Sequence, residues 1–180
     1  MSPIVLRGFT GDDIEVLWRE QTADRGPYWI VRPSTAEERR QLETSAGLSG
    51  GWRDGVLDLG IDVDGILVGD VQARKSGPTG VFELGVELFP GHRGRGYGSL
   101  AVAQLSRRLF EEEGAHRVQI TTDVDNQGMR RVAEQLGFVA EGVLRGFMPA
   151  PPALPEGPPR DYAMYALTAM DYDEVKTRWI

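Results

Sequence analysis

The stretch Phe89–Leu100, FPGHRGRGYGSL, sets four glycines and two arginines between the end of an alternating apolar segment and the start of an amphipathic one. Gly94, Gly96 and Gly98 recur at alternate positions, where backbone freedom and close approach matter more than side-chain packing. A strand-to-helix turn of this kind favours an anion, because first-turn amides lack intrahelical acceptors and the helix dipole adds positive potential. Two nucleotide-binding versions fail on spacing. Tyr97 stands where a P-loop needs lysine followed by serine or threonine, and Ser99 stands where the dinucleotide fingerprint needs its third glycine.

The segments around this turn define an α/β chain. PIVLRGFT reads as a first strand, GDDIEVLWREQ as a helix with Ile14, Leu17 and Trp18 on one face, and SAGLSGGWRDG as a loop. From Val56 the period falls to two: Leu57, Leu59, Ile61 and Val63 alternate with polar or small residues up to Asp64-Gly65, a hairpin turn. ILVGDVQAR returns, and after KSGPTG a third strand carries Phe82, Leu84, Val86 and Leu88 to Pro90, which cannot donate to a ladder. A helix is predicted from about Ser99, with Val102, Leu105 and Leu109 on one face and Gly114 as its stop. Val118, Ile120, Thr122 and Val124 then form a strand that runs parallel to Phe82–Leu88, because a helical crossover joins them. Asn126 is placed to cap a second short helix with the stripe Met129, Val132, Ala133 and Leu136, ended by Gly137. The chain is extended from Phe138, MPAPPALPEGPP reads as a surface loop, and DYAMYALTAM as the last strand.

Composition narrows the classes of function. At 180 residues, 41% apolar and 26% charged, residues 1–180 are expected to form a single domain with one core. Cysteine is absent and the two histidines, His92 and His116, lack ligand spacing, so no metal site is expected. The N-terminus has no signal-type apolar region and no segment reaches membrane-spanning length, which points to a soluble cytoplasmic protein with no membrane partner. A net charge of -7 disfavours nucleic acid and favours a cationic substrate.

Arg93, Gly96 and Gly98 match in register the Gln/Arg-x-x-Gly-x-Gly/Ala pyrophosphate loop of the GCN5-related N-acetyltransferases (GNAT). Residues 82–146 resemble the RimJ/RimL-type branch of that family in order and spacing, and the flanks resemble it loosely. The resemblance implies the GNAT fold, a mixed central sheet with two splayed parallel strands, flanked by helices. It also implies acetyl-CoA as co-substrate, no metal, and direct attack of an amine on the thioester in a ternary complex. Val86, Glu87 and Leu88 are then the strand segment beside the pantetheine arm, and the Leu88 amide is the oxyanion donor. Arg93, Gly94, Arg95, Gly96, Tyr97, Gly98 and Ser99 wrap the pyrophosphate. Asn126 bonds the pantetheine or an ordered water besides capping its helix.

Acid–base groups are less complete. Where relatives place a serine or a tyrosine on the second helix, this chain has Met129 and Ala133. Glu83 and Glu87, on one face of a strand, and Asp123 on its neighbour are the available bases; Glu83 is preferred because related sequences frequently carry glutamate there. The acceptor is a primary amine of a small molecule or of a protein N-terminus, and the chain a monomer or homodimer. The missing acid keeps a second class open, a CoA-binding regulatory module with little or no catalysis. Trp18, Tyr28, Trp29 and Trp52 read as core aromatics, and Glu111–Glu113 as an exposed helix end.

Overall fold

The alternating segments assemble as strands of one sheet in a computed structural model that describes residues 3–23, 35–46, 50–151 and 155–179. Among these residues the strands are β1 (Val5–Arg7), β2 (Val56–Val63), β3 (Ile66–Lys75), β4 (Val81–Leu88), β5 (Arg117–Asp123), β6 (Val139–Met148) and β7 (Arg160–Thr168). The helices are α1 (Asp13–Ala23), α2 (Ala36–Ala46), α3 (Tyr97–Glu112), α4 (Gln127–Gln135) and α5 (Ala169–Val175). The sheet order is β1-β2-β3-β4-β5-β7-β6. Only β4 and β5 pair in parallel, as the helical crossover through α3 requires; the other neighbours are antiparallel.

The period-two pattern sorts residues between the two faces of the sheet. Leu57, Leu59, Ile61, Val71, Ala73, Phe82 and Leu84 join Val102, Leu105 and Leu109 of α3 and Val118 and Ile120 of β5 in the main core. Trp52 packs there too, its ring 5.4 Å from that of Phe82. On the other face Leu17 of α1 packs against Leu67 and Phe89 in a smaller cluster. Arg7 of β1 fastens α1 by pairing with Asp13 at 2.6 Å and with Asp62 at 2.9 Å. Arg39 of α2 pairs with Glu15 of α1 and lies over the Trp18 ring at 5.6 Å. Tyr28 and Trp29 lie outside the described residues.

Several boundaries depart from the sequence pattern. The helix expected from about Ser99 starts at Tyr97, because Gly96, at φ 80°, turns the chain directly into it. Ser45 and Ala46, read as loop, belong to α2, which is preceded by a reciprocal cap between Thr35 and Glu38. The last strand stops at Thr168, not Met170, since the Thr168 hydroxyl and the Asp171 carboxylate cap α5 reciprocally. This short helix stacks Tyr172 on Phe110, centroids 4.5 Å apart, and its hydroxyl donates to Glu111 at 2.5 Å. Glu111 is thus exposed but bonded. No helix among the described residues is long and apolar enough to cross a membrane.

Candidate functional site

Strands β4 and β5 pair only at Val81–Arg117, Phe82–Val118 and Glu83–Gln119. Beyond Glu83 they have no paired residues, while β4 stays zipped to β3 as far as Gly69–Leu88 and β5 to β7 as far as Asp123–Tyr162. A wedge therefore opens between the two parallel strands, with Glu83 at its apex.

The direction of the β4 backbone groups follows from one bond. Phe89 N–H donates to Val68 O at 2.9 Å, which makes Gly69 and Leu88 a non-hydrogen-bonded antiparallel pair. The Leu88 N–H and C=O consequently leave from the opposite edge, on the wedge side. Two residues back the Val86 amide shares that direction. The Leu88 carbonyl accepts from Arg93 Nε at 2.9 Å, so this side chain folds onto the strand end. At the same end β3 carries an extra residue, Val68, between the pairs Ile61–Gly69 and Asp62–Leu67.

The glycine turn leads from that strand end into α3. A short 3-10 segment, Pro90–His92, is followed by Gly94 and Gly96, both left-handed at φ 73° and φ 80°. Gly96 is the N-cap residue and no side chain caps the helix; the first helical bond is Leu100 N–H to Gly96 O at 3.2 Å. The amides of Tyr97, Gly98 and Ser99 thus begin a sixteen-residue helix without a capping acceptor, beside the exposed Arg95. Tyr97 and Gly98 are buried against the strand, where a Cβ at Gly98 would lie 3.6 Å from Leu88 Cδ1. This arrangement fits a pyrophosphate: a cradle of backbone donors, positive at the helix end, with an arginine alongside.

Asn126 caps α4, its Oδ1 accepting from Met129 N–H at 3.1 Å, which leaves the side-chain amide nitrogen for another partner. Met129 spends its amide on that cap, and Ala133 is fully buried in the core. Neither position carries an acidic proton.

The carboxylates differ in surroundings. Glu83 is half-buried and accepts from Gln119 Nε2 at 3.4 Å across the apex of the wedge. Glu87 is half-buried on the same face, with the exposed Gly85 between them. Asp123 is already engaged: its side chain, 6% exposed, pairs with Arg160 at 3.2 Å and accepts from the Asp125 amide at 2.9 Å. That buried pair removes Asp123 from the set of available bases.

Asp58 reads in the sequence as an ordinary outward polar position of β2. Register sets it opposite Gln72, itself opposite Gly85, in a row across the face that carries Glu83 and Glu87. Burial pushes its carboxyl up to about 6, against the pull of the Leu59 amide. A folded value above the unfolded one favours folding at low pH, and that contribution is lost as pH rises through about 6. Asp58→Asn should therefore raise the melting temperature at pH 8 and leave it nearly unchanged at pH 4. An equal effect at both values would exclude burial of the charge as the cause.

Known proteins share this fold. Residues 4–139 match the model of the acetyltransferase (GNAT) domain. The uncharacterized N-acetyltransferase YoaA of Bacillus subtilis is 29% identical over 85 residues, which cover 47% of this chain and 45% of YoaA. RimL, a ribosomal L7/L12 alpha-N-protein acetyltransferase solved with coenzyme A, superposes with a TM-score of 0.79 at 19% identity, covering 93% of this chain and 95% of RimL. The spermidine N-acetyltransferase of Vibrio cholerae, solved with CoA and spermine, gives 0.77 at 17% identity, covering 94% and 97%. With its family-model match, splayed parallel strands and uncapped helix after the glycine turn, the chain belongs to the GNAT acetyltransferase family.

Proposed function

We propose that this chain transfers the acetyl group of acetyl-CoA to a primary amine bound on the sheet face of Glu83 and Glu87. The observation that carries the reading is the wedge beyond Glu83, bordered by outward-turned amides of β4 and ending at the uncapped start of α3.

In this reading the amides of Gly94 to Ser99 hold the pyrophosphate, with Arg95 adding charge and Arg93 closing the strand end. Val86 N–H pairs with the pantetheine arm as an added strand would, and Glu87 belongs to the same segment. Acetyl-CoA supplies an acyl group already activated as a thioester. Leu88 N–H faces the developing oxyanion; such a donor is worth about 3 to 4 kcal/mol in enzymes where one has been removed. The Asn126 amide nitrogen holds the arm or a water while its oxygen caps α4. Glu83 takes the proton from the arriving ammonium. Glu83→Gln should lower kcat/KM by about 100-fold, most at low pH where the amine is protonated. A pH profile identical to that of the parent would remove Glu83 from the mechanism.

The acceptor is a small-molecule amine or a protein N-terminus. RimL exemplifies the second and the spermidine enzyme the first among proteins of this fold. A panel of both, monitored by thiol release, tests the proposal. Tight acetyl-CoA binding without turnover of any amine would favour a regulatory CoA-binding module.

A further inference from the structure

We propose that Arg160 is a positioning residue for the co-substrate: acting through Asp123, it fixes the turn between β5 and α4 that presents the Asn126 side-chain amide to the pantetheine arm. This rests on the acetyl-transfer reading above.

Asp123 and Arg160 pair at 3.2 Å with side chains only 6% and 13% exposed. An ion pair buried this deeply adds little net stability, because the hydration that both charges give up offsets most of their attraction. Its place in the fold gives it another use. Asp123 is the last paired residue of β5, beyond the point where that strand parts from β4, and there the chain must turn into α4.

The turn is built on Asp123. Its Oδ1 accepts from the Asp125 amide at 2.9 Å and its carbonyl accepts from the Asn126 amide at 2.9 Å, so one residue directs the path to Asn126. Asn126 Oδ1 then takes the Met129 amide at 3.1 Å, which ties the same side chain to the start of α4. An aspartate that bonds the amide two residues on shapes a turn only while its own side chain is held in one rotamer. Arg160 holds it. Nη1 donates to the other carboxylate oxygen, Oδ2, while Nε donates to the Pro149 carbonyl at 3.2 Å and the guanidinium lies over the Tyr162 ring at 5.7 Å. Anchored from both β7 and the end of β6, the guanidinium fixes the carboxylate from outside the turn.

Val124 is secured separately. Its amide donates to Asp161 O at 3.1 Å and its carbonyl accepts from Arg130 Nη1 at 2.9 Å, so β5 keeps its end when Arg160 is lost. What changes is local. The Asp123 carboxylate turns toward water, the Asp125 amide loses its acceptor, and Asn126 moves relative to the wedge. A small displacement suffices, since a hydrogen bond weakens steeply outside a narrow range of distance and angle.

The test is a double-mutant cycle in the full chain, read by calorimetric titration with coenzyme A. Arg160→Met and Asn126→Ala should each weaken binding by about tenfold, the worth of one hydrogen bond. The double variant should be no weaker than either single one, because Arg160 acts through Asn126; losses that multiply to about 100-fold overturn the proposal. Arg160→Lys, which restores a cation opposite Asp123, should bind within about threefold of the parent, and a lysine variant as weak as Arg160→Met overturns it. 3′-Phosphoadenosine 5′-diphosphate keeps the pyrophosphate and lacks the arm, so it should bind parent and variants alike. An equal loss for this probe and for coenzyme A marks general damage and also overturns the proposal. Should Arg160→Met not fold, the uncharged pair Asp123→Asn with Arg160→Met takes its place in the cycle with the same expectations. A parent chain that binds no coenzyme A overturns the acetyl-transfer reading itself.

Discussion

Valine at Gly96 is expected to weaken coenzyme A binding by about 100-fold while the protein stays folded. Gly96 has φ 80°, a left-handed conformation that a β-branched residue adopts only at a cost of about 1 to 3 kcal/mol. The chain can relieve that strain by moving Gly96 toward negative φ, which swings the amides of Tyr97, Gly98 and Ser99 away from their common direction. Fold stability is protected, because α3 is held by Val102, Leu105 and Leu109 deep in the core and Gly96 itself is exposed. Binding is not protected. Loss of two or three aligned donors to a charged group is worth about 3 kcal/mol, and every 1.4 kcal/mol is tenfold in affinity. Calorimetric titration with coenzyme A and a thermal melt separate the two effects. Unchanged affinity in the folded valine variant would mean that the glycine turn does not hold the pyrophosphate.

That prediction follows from the sequence almost unaided, and the reason is local. Glycines at alternate positions before an amphipathic run force a particular backbone, and three strands with a tight Asp64-Gly65 turn force a meander. Such features need no knowledge of distant residues. The features the sequence left hidden depend on register or on remote partners. That the Leu88 amide faces the wedge follows from its pairing with Gly69 and the bond from Phe89 to Val68. The partner that engages Asp123, Arg160, stands thirty-seven positions away and carries no local signal. The end of β7 is hidden for a similar reason: an apolar run continues through Met170, and only the Thr168-x-x-Asp171 spacing marks the start of a helix.

Register also identifies the position at which one methyl group should do most damage. Gly69→Ala is expected to cost about 3 kcal/mol of stability and to lower coenzyme A affinity in whatever protein still folds. A Cβ at Gly69 would lie 2.1 Å from the Glu87 carbonyl oxygen and 2.9 Å from Leu88 Cα. Both obstacles are backbone, so no rotamer change relieves the contact and the strands must separate. The close approach has a cause in the ladder: non-hydrogen-bonded pairs bring Cα atoms nearer than hydrogen-bonded ones, and the extra residue Val68 tightens the bend beside it. Separation would displace Leu88 and the Phe89 bond together, and with them the amide that faces the wedge. Gly85→Ala is the matched control. Gly85 lies on the adjacent strand β4 with nothing within 4 Å of a Cβ, so alanine there should change stability by less than about 0.5 kcal/mol. Urea unfolding of the two variants decides the matter. Equal midpoints would mean that β3 and β4 tolerate a wider spacing at Gly69, and the orientation of the Leu88 amide would then rest on something other than this contact.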